Sequence, residues 1–167
     1  VLERLWAGWR SEYIATADES NKQGCVFCAM LASGLPDDET CIVWRGERCF
    51  AALNAYPYTS GPLLVMPKRH VGEPEDLTPE EHAELWRAVT DAVVALKRAY
   101  RPEGINFGAN LGRAAGAGVP GHFHVHALPR WNGDTNFMTT LAEVRVLPEA
   151  LPVTWEKVRA AWTSGTG

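Results

Sequence analysis

The sequence predicts an α+β fold built on an antiparallel sheet. Short apolar runs that read as strands stand before and after a single long helix, instead of alternating with helices as a doubly wound parallel sheet requires. That helix has strong end signals and a continuous apolar face. The third observation is a strict alternation of apolar residues and histidines late in the chain, the period of a strand with two unlike faces.

Each element can be read in order. Residues 1–15 carry Leu2, Leu5, Trp6, Trp9 and Tyr13, a loosely amphipathic pattern expected of an arm that docks on the body or on a partner chain. Residues 16–24 are polar and read as loop. Cys25 to Ser33 reads as a short helix stopped by Gly34 and Pro36. Cys41–Trp44 and Cys49–Leu53 read as two paired strands around a turn at Gly46. Asn54–Pro62 is turn-rich, and Leu63–Pro67 is a fully apolar run expected to be a buried strand. The long helix is expected from Pro79 to about Tyr100. Thr78 suits its N-cap, Pro79 its first position, and Glu81 completes a capping box. Leu85, Trp86, Val89, Val93 and Leu96 recur at helical spacing and are expected to face the core. Arg101, Pro102 and Gly104 end it. Ile105–Leu111 reads as a strand, Gly112–Gly121 as a glycine-rich loop, His122–Leu128 as the next strand, and Trp155–Trp162 as a short final helix.

Composition bounds what such a fold can do. The 167 residues suffice for one domain with a proper core, and 46% apolar with 22% charged residues is ordinary for a soluble globular protein. A net charge of −4 gives no electrostatic footprint for nucleic acid. No uninterrupted apolar run is long enough to cross a bilayer, and the first residues lack a basic-then-apolar secretory pattern. The expected setting is the cytoplasm, with neither membrane nor nucleic acid as partner. Four cysteines are too sparse for a disulfide scaffold. Cys25 and Cys28 form a C-x-x-C that suits a metal knuckle or a redox pair. Cys41 and Cys49 read as buried small hydrophobes.

The chemistry concentrates at His122, His124 and His126. Three of the chain's five histidines fall within five consecutive residues. On a strand their imidazoles share one face, with Phe123, Val125 and Ala127 on the other. Imidazole titrates near neutrality, ligates metals and can act as a nucleophile. The preceding loop is a candidate phosphate cradle, because glycines let the backbone approach an anion closely. It is not a Walker loop, since no Gly-Lys-Ser/Thr follows. It is not a dinucleotide fingerprint either, since a strand rather than a helix follows it. His-x-His on a strand also permits a catalytic zinc holding a water. The other reading of the row is a half-exposed strand whose polar face is merely rich in histidine. His82, near the start of the long helix, reads as structural.

His122-Phe123-His124-Val125-His126-Ala127-Leu128 resembles the His-φ-His-φ-His-φ-φ signature of the histidine triad (HIT) superfamily of nucleotide hydrolases and transferases. Asn54-Ala55-Tyr56-Pro57 and Pro67-Lys68-Arg69-His70 resemble the upstream segments of that family. Pro129-Arg130-Trp131-Asn132-Gly133-Asp134 resembles the Pro-Arg-x-x-Gly-Asp of its Fhit-like and diadenosine polyphosphate (Ap4A) phosphorylase-like branches. Cys25-Val26-Phe27-Cys28 resembles the Cys-x-φ-Cys of zinc-containing members. The similarity covers about residues 20–140. It divides the chain into an N-terminal arm (1–20), a HIT domain (21–140) and a C-terminal extension (141–167) packing on the domain or on a partner chain.

The resemblance implies a five-stranded antiparallel sheet with one long and one short helix, in a homodimer. It implies His124 as the nucleophile toward the α-phosphorus of a nucleotide, forming a nucleotidyl-histidine, with His126 contacting phosphate or helping the leaving group. A nearby backbone carbonyl would fix the tautomer of His124. Backbone amides near Gly116, Gly118 and Val119 would stabilise phosphoryl charge, with Asn54 near the ribose and Asn110 on a phosphate or bridging oxygen. Cys25, Cys28, His70 and His122 would hold a structural zinc, and no organic cofactor is implied. The substrate expected is a purine nucleotide or a dinucleoside polyphosphate such as Ap4A or Ap3A, attacked finally by water or by inorganic phosphate. A nucleoside phosphoramidase and a non-catalytic nucleotide-binding regulator are the alternatives. One departure stands out. Where the family's loop carries a serine or threonine near the leaving group, this chain has Ala117 and Gly118, with Pro120-Gly121 adding a residue, which leaves the leaving-group preference open.

Overall fold

A computed structural model describes residues 24–54, 61–134 and 149–163. The expected arm at 1–20, residues 55–57 of the Asn-x-x-Pro segment and residues 135–148 lie outside the described residues. The elements are α1 (Val26–Ala32), β1 (Ile42–Arg45), β2 (Cys49–Leu53), β3 (Leu63–Pro67), α2 (Pro79–Tyr100), β4 (Gly104–Gly108), β5 (Val125–Arg130) and α3 (Leu151–Ala161). The five strands form one antiparallel sheet in the order β1-β2-β3-β5-β4. This is the α+β architecture expected, with three α-helices among the described residues instead of one long and one short.

The sheet separates two apolar layers. On one side Ala51, Leu53, Leu63, Val65, Phe123, Val125 and Ala127 pack with the buried stripe of α2 and with Val158 and Trp162 at the C-terminal end. On the other, Phe50, Ala52, Leu64 and Met66 pack with Phe27 of α1. The alternation along β2 and β3 therefore feeds two cores, which is why both strands are buried throughout.

Helix α2 begins where its cap signals place it. The Thr78 hydroxyl accepts from Glu81 N–H, and the Glu81 carboxylate accepts from Thr78 N–H, so both halves of the capping box form. Glu81 also pairs with Arg69 through both carboxylate oxygens. The core stripe differs from the expected one. Trp86 is 49% exposed, while Ala88, Ala92 and Ala95 are fully buried. Alanine lets the helix axis lie close on the sheet, and the bulky indole falls just off that stripe.

The strand expected at His122–Leu128 begins instead at Val125 and runs to Arg130. Continuing the β3–β5 register would set Phe123 opposite Pro67, which has no N–H to give the ladder. Phe123 N–H donates to the Val71 carbonyl instead, at 2.6 Å. The expected Ile105–Leu111 strand ends at Gly108, and Asn110 and Leu111 are exposed beyond it. Cys49 is buried as expected, whereas Cys41 is half-buried in a left-handed conformation at φ 60°.

The two sheet edges are treated differently. Trp155 Nε1 donates to the Ile42 carbonyl and Arg159 to the Val43 carbonyl, both at 2.8 Å, so α3 covers the β1 edge. Trp162 adds a stacked contact on Trp44. Among the described residues the β4 edge carries no such cover, and Phe107 on it is 57% exposed.

Candidate active site and metal centre

The three imidazoles lie in a row on the α1 face of the sheet, while Phe123, Val125 and Ala127 join the opposite core. His122 and His124 are buried at 0% and 6% exposure, and His126 is half-buried. The His124 and His126 ring centroids are 5.0 Å apart. His126 faces Leu64 on β3 and Gly108 on β4. A side chain built at Gly108 would meet nothing within 4 Å, so the space beside His126 is open.

The tautomer of His124 is set by the backbone. Its Nδ1 lies 2.7 Å from the His122 carbonyl, which can only accept, so Nδ1 carries the hydrogen and Nε2 keeps a free lone pair. Burial favours the uncharged ring and holds His124 below the ordinary imidazole value. His126 is pushed down to about 4, by burial first and by the charge of His124 second. At neutral pH the pair is therefore two uncharged imidazoles side by side.

His122 turns the other way. Its Nε2 donates to the Pro67 carbonyl at 2.8 Å, which leaves the Nδ1 lone pair able to ligate a metal. That Nδ1 is 3.2 Å from Cys25 Sγ and 3.7 Å from Cys28 Sγ, and His70 Nδ1 is 3.4 Å from Cys28 Sγ. All four ligand atoms lie within 4.8 Å of one another. Metal–sulfur and metal–nitrogen bonds of tetrahedral zinc imply S···N edges of about 3.5 Å. The donor set fits zinc in distance and in chemistry, and the Pro67 carbonyl orients the His122 ring for it.

The remaining expected residues are placed as follows. Val119 packs against the Phe27–Phe50 layer, which brings that part of the loop to the histidine face. The Gly116 amide is already spent on the Arg113 carbonyl, and the Ala117 amide on that of Gly112. Asn110 stands two residues past Gly108, on the extended register opposite His124. Asn54 follows β2, and its N–H donates to the Pro62 carbonyl. Two features went unseen in the sequence. Phe27 lies edge-on to both His122 and His124, at 5.3 Å from each. Its position inside the C-x-x-C was the available signal. Arg130 holds Asp134 through both carboxylate oxygens and donates to Asn106, which ties the segment after β5 to β4.

A five-stranded sheet carrying a row of three histidines beside a Cys/His cluster able to hold a metal defines a histidine-triad protein. The sequence matches the HIT domain family over residues 36–133, and the chain belongs to that family. It is 39% identical over 165 residues to the AP-4-A phosphorylase of Mycobacterium tuberculosis, covering 96% of this chain and 85% of the relative. It is 36% identical over 89 residues to the bis(5'-adenosyl)-triphosphatase of Dictyostelium discoideum, covering 53% and 59%. Among solved structures, a zinc-bound histidine triad family protein from Mycobacterium smegmatis superposes with a TM-score of 0.62 at 31% identity, covering 84% and 94% of the two chains.

Proposed function

We propose that this chain is a nucleotidyl transferase that splits dinucleoside polyphosphates of the Ap4A type through a nucleotidyl-His124 intermediate, with inorganic phosphate as the final acceptor. The observation that carries the mechanism is the Nδ1 bond of His124 to the His122 carbonyl, which presents a neutral Nε2 lone pair. Choice of phosphate over water is supported by the likeness to the AP-4-A phosphorylase, which runs almost the full length of the chain. The likeness to the triphosphatase supports water as the alternative acceptor.

The His124 Nε2 lone pair forms a bond to the α-phosphorus, and the bond from that phosphorus to its bridging oxygen breaks. The polyphosphate half leaves as an anion. His126, neutral at pH 7, donates a hydrogen bond to a phosphoryl oxygen. The amides of Gly118 and Val119 stabilise the charge that builds there. Asn54 holds the ribose and Asn110 a bridging oxygen. Phosphate then attacks the phosphorus, the P–N bond breaks, and His124 regains its starting state. Cys25, Cys28, His70 and His122 would hold zinc, which when bound would supply a structural cross-link.

A second copy of the chain would pair along the open β4 edge, since α3 already covers the β1 edge. A homodimer in sedimentation, reduced to monomer by Phe107→Asp, is the expected result. Four free thiols suit a reducing compartment, so the cytoplasm is the proposed location. Among the described residues no helix is long and apolar enough to cross a membrane.

Product analysis with Ap4A, with and without phosphate, tests the function. ATP plus ADP, appearing only with phosphate, is expected. ATP plus AMP makes water the acceptor. Two ADP would contradict attack at the α-phosphorus. Tight binding without turnover would make the chain a nucleotide-binding regulator.

A further inference from the structure

We infer that Phe27 is a positioning residue for His124, clamping the plane of the nucleophilic imidazole from the helix that carries the metal-ligating thiols. The inference rests on the reading of His124 as nucleophile. A single hydrogen bond at Nδ1 fixes which nitrogen carries the proton, but it leaves the ring free to rock about that bond. In-line attack needs the Nε2 direction fixed as well. Among the described residues two rings flank His124. His126 lies at 5.0 Å with 62° between planes, and Phe27 at 5.3 Å with 61°. His126 comes from the same strand, whereas Phe27 comes from 97 residues earlier and is 6% exposed.

The helix that delivers Phe27 is short, and Met30 and Leu31 support it only as half-buried residues on the same layer. α1 is seven residues long, Phe27 is its only buried residue, and its N-cap Cys25 makes no side-chain cap. Cys25 and Cys28 bracket Phe27 and converge on His122, whose ring Phe27 also meets edge-on at 5.3 Å and 82°. The two thiols, Phe27 and His122 thus form one packed unit. His122 ends that unit on the catalytic side, because its carbonyl holds His124. The metal knuckle is placed to orient the nucleophile through an aromatic ring as well as to staple the fold.

The test compares Phe27→Leu and Phe27→Tyr with wild type, all zinc-loaded. The readouts are zinc content, the melting curve, kcat and KM with Ap4A, and ¹⁵N imidazole spectra at one fixed pH without substrate. Leu keeps an apolar filler but removes the ring edge. We expect Phe27→Leu to retain about one zinc per chain and to melt cooperatively. Its kcat should fall at least about tenfold, a loss of the size that misplacing a reacting group produces, with KM within about threefold of wild type. Its His124 nitrogens should stay Nδ1-protonated, held by the His122 carbonyl, but their signals should broaden as the ring rocks about that bond. Phe27→Tyr should restore both kcat and the spectrum. An unchanged kcat and spectrum in Phe27→Leu would overturn the inference. So would a rise in KM alone, which would make Phe27 a nucleotide contact, or loss of zinc and fold in step with rate, which would make it only structural. If wild type formed no histidine adduct, the nucleophile reading would fail, while the spectra would still show whether Phe27 holds the ring.

Discussion

Replacing His126 with glutamine should make the folded protein less sensitive to acid, and the size of the effect follows from its surroundings. In the unfolded chain a histidine takes up a proton near pH 6.5. In the fold, burial and the neighbouring His124 delay uptake at His126 until about pH 4. Between those values the unfolded state binds more protons than the folded state, so stability falls as pH falls. The contribution is fully present above about pH 6.5 and is lost down to about pH 4. The gap corresponds to roughly 3 kcal/mol, and discounting for the half-exposed ring leaves about 2 kcal/mol. Glutamine fills similar space and does not titrate. Urea unfolding of both proteins at matched pH values from 7.5 to 4.5 gives the difference directly. Acid loss of the metal acts on both alike and cancels. The wild-type curve should fall more steeply, by up to about 1.4 kcal/mol per pH unit. Parallel curves would refute the reasoning.

Two further perturbations address the metal and the helix start. Cys25→Ser should take zinc from about one per chain to near zero in metal analysis and lower the melting temperature by roughly 5–10 °C. A full zinc complement in that variant would remove Cys25 from the ligand set. Glu81→Ala should cost about 1–2 kcal/mol in urea unfolding, mostly through the lost cap on Thr78. The partner Arg69 is 48% exposed, so the ion pair adds little. Glu81→Gln should recover part of the loss, because an amide oxygen still accepts from Thr78 N–H.

Features encoded over a few adjacent residues were legible in the sequence. The Thr78–Glu81 box marks the start of α2 because capping needs only residues three apart. The histidine alternation revealed which side chains share a face, even though the hydrogen-bonded strand begins only at Val125. What escaped depends on partners far away in the chain. Pro67 moves the start of β5 because it falls opposite Phe123. Alanines take the buried stripe of α2 and turn Trp86 outward. Trp155 and Arg159 cover the β1 edge from more than a hundred residues away. In the site, the four ligand positions matched a family pattern, whereas the contacts of Phe27 with His122 and His124 arise only when α1 is laid on the sheet. Gly116 lay within the expected cradle, yet its amide closes the loop's own turn.

Trapping the covalent intermediate tests the central claim most directly. Enzyme mixed with Ap4A labelled at the α-phosphorus, and quenched within a turnover, should carry label that is stable in base and released by acid. That pattern belongs to a phosphorus–nitrogen bond, and peptide mapping should locate it at His124. His124→Asn should form no adduct and lose at least about a thousandfold in rate, while still folding and binding nucleotide. A zinc-bound hydroxide on the histidine row would form no enzyme adduct. Steady turnover with no label on the protein, and activity that instead follows added zinc, would contradict the account.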